Sequence, residues 1–150
     1  MKRLICIIAM VAIGFTATYA QKSFTPGQKK IRDEIFSYLK SEGYQPSIDD
    51  DGDIKFKRQG DIYFVCVSDK DTSPYYVRLS KYYSYGEERL TRSKIGIYAE
   101  EVNKYKMCKL IVEDDSFIID SQLFLYNSSA FTSIFNKIME VIDGAEEELM

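Results

Sequence analysis

The sequence predicts an α+β domain: an antiparallel sheet of five or six strands with three helices, in the order α-β-β-β-α-β-β-α. Three observations predict it. Apolar residues recur at helical spacing in three stretches: Ile31-Ile35-Leu39, Ile95-Tyr98-Ala99-Val102, and Phe131-Ile134-Phe135-Ile138-Ile142. Between them lie runs that are alternating or continuously apolar, as strands are. The connections carry Asp51-Gly52 and Gln59-Gly60. Such short turns return the chain antiparallel, whereas parallel neighbours need long crossovers.

Residues 1–20 are expected to be an export signal. Lys2 and Arg3 precede the apolar run Leu4 to Phe15, and Thr18-Tyr19-Ala20 ends in the small-x-small cleavage pattern. The run falls short of the roughly 20 residues that span a bilayer, so no membrane span is expected. Cleavage after Ala20 leaves residues 21–150 as a single domain starting at Gln21, in the periplasm or secreted. The whole chain carries 20 basic and 23 acidic residues, net −3. The expected mature chain carries −5, because the leader holds two cations and no acid. That balance lacks the footprint of a nucleic-acid binder.

Helix one begins at Thr25-Pro26, a capping residue followed by proline at the first helical position, and stops at Gly43. Tyr44 to Ile48 reads as a short strand limited by Pro46. Ile54-Lys55-Phe56-Lys57 alternates with one face wet. Ile62 to Val67, apolar almost throughout, reads as a central strand covered on both faces. Tyr75 to Tyr83 alternates again, with Tyr75, Val77 and Leu79 on one face and Tyr76, Arg78 and Ser80 on the other. Helix two is expected over Glu87 to Lys104. Strands follow at Met107 to Val112 and Phe117 to Leu125, turning at Glu113-Asp114-Asp115. Helix three starts near Asn127, whose side chain caps it, although Asn127-Ser128-Ser129 is also a glycosylation sequon. Its acidic tail Glu146-Glu147-Glu148 opposes the helix dipole and is expected to fray.

The chemistry of this chain is narrow. Histidine is absent, which removes His-based nucleophile activation and His-ligated zinc. Cys66 and Cys108 sit in apolar strand-like runs and read as buried thiols, with a single bridge left open to geometry. Asp49, Asp50, Asp51 and Asp53 lack the glycine and the twelfth-position glutamate of a calcium loop, and read as a solvated hairpin turn. Ser37 and Lys40 have the spacing of a penicillin-recognising nucleophile, without its companion motifs. No catalytic residue, cofactor or metal is assigned.

What stands out is tyrosine. Five of the 12 lie between Tyr75 and Tyr85, interleaved with Arg78 and Lys81. Tyrosine and arginine are enriched in binding hot spots. The candidate ligand-binding residues are therefore Tyr76, Arg78, Tyr82 and Tyr83, with Tyr76, Arg78 and Tyr82 on one strand face. At least two of Tyr76, Tyr82, Tyr83 and Tyr85 are expected to stand largely exposed beside Arg78.

The strings Glu42-Gly43-Tyr44, Asp51-Gly52-Asp53-Ile54-Lys55-Phe56-Lys57 and Gly60-Asp61-Ile62-Tyr63 resemble the start of YbjN-like domains. Ala99-Glu100-Glu101-Val102-Asn103 running into Lys109-Leu110 resembles their second helix and the next strand. The resemblance covers most of residues 26–142. It implies a type III secretion chaperone-like fold, a bacterial source and a non-enzymatic role in binding or regulation. The reading is an exported module that binds a protein or peptide in the envelope. The alternative is a glycan- or envelope-binding module using exposed Tyr rings, and a hydrolase with a carboxylate pair comes third. A peptide calls for an exposed strand edge or an apolar groove; a glycan calls for coplanar exposed rings.

Overall fold

The computed structural model describes residues 23–70, 72–85 and 91–149. The expected export signal (1–20) and the expected start of helix two at Glu87 lie outside those residues. The elements are α1 (Pro26–Ser41), β1 (Ser47–Ile48), β2 (Ile54–Arg58), β3 (Asp61–Val67), β4 (Tyr75–Ser84), α2 (Arg92–Val102), β5 (Lys109–Val112), β6 (Ser116–Leu125) and α3 (Ser128–Glu147). The α+β class and the expected order hold, with the proline-limited strand reduced to the two residues of β1. One six-stranded sheet runs β1-β2-β3-β4-β6-β5, antiparallel at every pairing. Among the described residues no helix is long and apolar enough to cross a membrane.

Local chemistry sets the boundaries. Thr25 Oγ1 accepts the Gln28 N–H at 3.3 Å, and Gln28 Oε1 accepts the Thr25 N–H at 2.6 Å, a reciprocal cap on α1. Gly43, at φ 89°, takes the left-handed step that ends the helix. Gln59 and Gly60 both have positive φ, the geometry of a two-residue hairpin that puts Arg58 opposite Asp61. Asn127 Oδ1 accepts the Ala130 N–H at 3.2 Å, so the sequon asparagine caps α3 as expected.

All three helices pack on one face of the sheet. The core joins Ile31, Ile35 and Leu39 of α1, Ile95 and Val102 of α2, and Phe131, Phe135, Ile138 and Ile142 of α3. It takes one parity from each strand: Ile54 and Phe56, Tyr63 and Val65, Val77 and Leu79, Leu110, Phe117 and Ile119. A β-carbon at Gly27 would collide with the Tyr75 hydroxyl, so the missing side chain lets α1 lie close on β4. The expectation that β3 is covered on both faces is therefore corrected. Ile62 is exposed and Phe64 half-buried, because no described helix crosses their side of the sheet.

The end of α3 also departs from expectation. Glu146 meets Lys81, an inward-facing and nearly buried residue of β4, at 2.6 and 2.7 Å, and Lys81 Nζ also donates to Asp61 at 2.8 Å. The ammonium lies 5.5 Å from the ring centre of Tyr63 and 5.0 Å from that of Tyr83. This local cation offsets the unfavourable helix dipole, and α3 runs through to Glu147. Burial by itself would lower the Lys81 pKa, but the bonds to Asp61 and Glu146 outweigh it and raise it.

Candidate functional site

The sheet face away from the helices carries three of the four sequence-predicted site residues. Strand alternation places Tyr76, Arg78 and Tyr82 of β4 there, as expected. Tyr83 has the opposite parity and turns to the covered face. Its ring stacks on Phe117 at 4.6 Å, and its hydroxyl is buried near the Glu146 carboxylate without a hydrogen bond of good geometry among the described residues. Burial, with the Glu146 carboxylate adding to it, holds that phenol far above its usual pKa. Tyr83 thus belongs to the core boundary and not to the surface formed by the other three.

Exposure falls short of the expectation. Of Tyr76, Tyr82, Tyr83 and Tyr85, only Tyr82 is exposed, at 44%. The physical reason is cross-strand pairing of rings, which shelters the tyrosines. Tyr82 meets Phe64 edge-on at 5.3 Å and 84°, and Tyr76 leans on Phe124 at 5.2 Å and 48°. Neither pair is coplanar. Tyr85 packs beside Phe117 and donates its hydroxyl to the Glu113 carbonyl.

Between the two ring pairs lies a polar centre. Asp120, fully buried, accepts Ser80 Oγ at 3.0 Å and Gln122 Nε2 at 2.9 Å, and Arg78 Nη1 stands 3.9 Å away. Three neighbours from β4 and β6 thus engage this carboxylate, which braces the two strands together. It is the one acidic side chain at the strand positions of this face. Cations outnumber it: Lys55 and Lys57 on β2, Arg78, and Lys109 on β5. In a chain with more acids than bases, that is a local reversal of sign. Glu113 stands exposed beyond the end of β5, bonded to Ser116, and Asp69 and Lys70 offset each other in the loop after β3.

A groove of about 620 Å³ opens where β5 stops short of β6. Tyr76, Met107, Ile111 and Phe124 form its apolar walls, and Lys109 and Gln122 supply polar groups. Among the described residues no carboxylate lines it. Phe124 is 68% exposed and Met107 42%. A smaller cavity of about 190 Å³ lies on the other side of Tyr76, under Arg78 and beside Cys66. Tyr76 therefore divides the two hollows.

The remaining motifs are structural. Cys66 and Cys108 are both buried and not joined in a disulfide, on β3 and just before β5, with β4 and β6 between those strands. Burial, then the nearby Asp120, push the Cys108 thiol up to about 11, which leaves it a poor nucleophile at neutral pH. Ser37 Oγ donates to the Asp33 carbonyl at 2.8 Å within α1. Asp49 Oδ1 accepts the N–H groups of Asp51 and Asp53 at 3.1 and 2.8 Å, which builds the β1–β2 turn.

Sequence reasoning missed Phe124, Met107 and Lys109. Phe124 was within reach: it shares a strand parity with Asp120 and Gln122, where an aromatic ring is out of place on a polar face. Met107 gave no signal, since its role follows from a positive φ of 67°. No family model matches this chain, and no curated protein matches it.

Proposed function

We propose that this protein is an exported, non-catalytic binding module that takes a peptide or an extended protein segment on the open face of its sheet. The observation that carries the reading is the groove beside β5. It joins exposed apolar side chains, Phe124 and Met107, to a few polar groups, the composition of ligand pockets in general. The tilted ring pairs do not make the flat platform a sugar ring stacks on, so a peptide is favoured over a glycan. The YbjN-like resemblance, with its non-enzymatic role, points the same way. Export rests on the pattern of residues 1–20.

Panning a random dodecapeptide phage library against the purified protein tests the binding reading. Enriched peptides should bind the wild type and lose most of their affinity for the variant Phe124→Ala, whose thermal midpoint should shift little because Phe124 is exposed. No enrichment, or equal binding to the variant, refutes it. Export is checked separately: the protein recovered from the cell envelope should begin at Gln21, and a retained Met1 there defeats that part of the reading.

A further inference from the structure

β6 has ten residues and β5 four. β5 pairs only with Phe117, Ile118, Ile119 and Asp120, whereas β4 pairs along the whole of β6. The outer edge of β6 from Ser121 to Leu125 therefore has no strand beside it among the described residues. Alternation decides which backbone groups face that gap. Tyr76 O accepts the Ser68 N–H on the β3 side, so its neighbours Tyr75 and Val77 bond to Leu125 and Leu123 of β6. The N–H and C=O groups of Gln122 and Phe124 consequently point away from β4 and toward the groove. Met107, just before β5, takes its left-handed turn at this point and leads the chain away.

The other edges differ. The Leu110 N–H, which faces outward from β5, is already taken by Asn103 Oδ1 at 2.7 Å. β1, at the far edge, is two residues long. It leaves the outer edge of β2 from Phe56 to Arg58 without a strand among the described residues as well, beside a cavity of about 400 Å³. The bare stretch of β6, however, is the one whose groove holds the exposed apolar side chains Phe124 and Met107. Unpaired edges of this kind accept an added strand, the main chain giving affinity and alternate side chains giving selectivity.

We infer that an extended acidic peptide adds to this sheet as a strand in line with β5, bonded to Gln122 and Phe124 of β6. The inference rests on the peptide-binding reading above and gives it a geometry and a charge. Residues of the added strand that share the open face drop apolar side chains against Phe124, Met107 and Tyr76. Acidic side chains meet Lys109 at the groove and the field of Arg78, Lys55 and Lys57 across the face. Among the described residues the groove has no carboxylate to oppose them, and the buried Asp120 is occupied by its three neighbours.

The test uses a panned peptide resynthesised with a fluorophore in three forms, its polar positions filled by Glu, Ser or Lys. A fourth and a fifth form carry N-methyl groups on alternate backbone amides, one form for each register. At about 0.05 M salt the Glu form should bind tenfold or more tighter than the Lys form, and at about 0.5 M the difference should shrink. N-methylation in one of its two registers should abolish binding, and bound peptide should slow hydrogen exchange at the Gln122 and Phe124 amides. Gln122→Pro removes one outward donor without touching a β4 bond and should weaken binding tenfold or more. If N-methylation is harmless in both registers and exchange there is unchanged, strand addition is wrong while peptide binding stands. Equal affinity of the Glu and Ser forms overturns the acidic preference alone. If no peptide binds, both readings fall, and capture of phosphatidylglycerol vesicles instead would assign the face to a membrane surface.

Discussion

Phe135 sits at the meeting point of α1, α3 and the sheet, and Phe135→Ala measures how firmly that centre is held. The side chain is essentially buried, and four rings surround it: Tyr38 at 5.6 Å, Tyr44 at 5.7 Å, Phe131 at 5.7 Å and Phe56 at 6.1 Å. Removing it loses the transfer free energy of the ring and leaves a cavity, about 3–5 kcal/mol together. Rings that contact a neighbour edge-on contribute about 0.5–1.5 kcal/mol more per pair. Tyr38 and Tyr44 meet Phe135 in that way, which places the expected loss toward the upper end. A domain of this size has a stability of about 5–15 kcal/mol, so the variant forfeits a large share of it. The assay is urea unfolding followed by tryptophan-free near-ultraviolet signals, the chain having no Trp. The midpoint should fall while the slope m holds, and the thermal midpoint should drop by about 10–20 °C. A loss below about 1 kcal/mol, the level of an ordinary surface change, would refute the packing described for α3.

Lys81→Met should destabilise by about 1–3 kcal/mol, less than for a fully enclosed pair because Asp61 and Glu146 both reach solvent. The folded Lys81 pKa is raised, so its contribution is fully present below the unfolded lysine pKa, about 10.4, and is lost as pH rises through the higher folded value. As pH is raised from neutral, the gap between wild type and variant in pH-dependent melting should therefore close only in strong alkali; closure at neutral pH would contradict the pairing. Tyr83→Phe removes a buried hydroxyl without a hydrogen bond of good geometry among the described residues and should be neutral or stabilising by up to about 1 kcal/mol in urea unfolding. A loss above about 1 kcal/mol would show that the hydroxyl does bond Glu146. Asn103→Ala frees the Leu110 N–H on the edge of β5, and should cost about 1 kcal/mol and increase self-association in sedimentation velocity. A monomer of unchanged stability would mean that Asn103 does not guard that edge.

Local signals carried most of the architecture. Thr25-Pro26 and Asn127 mark helix starts because capping is settled within three residues of chain. Gln59-Gly60 fixes a hairpin because two positive φ values are needed at adjacent positions. Alternation divides Tyr76, Arg78 and Tyr82 from Tyr75, Val77 and Leu79 because side chains on a strand change sides at every residue. What alternation leaves undetermined is which side is covered. Ile62 to Val67 reads as doubly buried because hydrophobicity counts residues, whereas coverage depends on where three helices come to rest. Tyr83 entered the candidate site from its neighbourhood in sequence and left it because its parity faces α3. Glu146 was expected to fray from the dipole of its own helix, and a lysine 65 positions away in sequence holds it. The groove is the furthest from the sequence: it exists because β5 is shorter than β6 and the chain turns off at Met107. Capping, turns and strand parity are short-range and are written in neighbouring residues, while coverage, long-range ion pairing and bare strand edges arise only when distant segments meet.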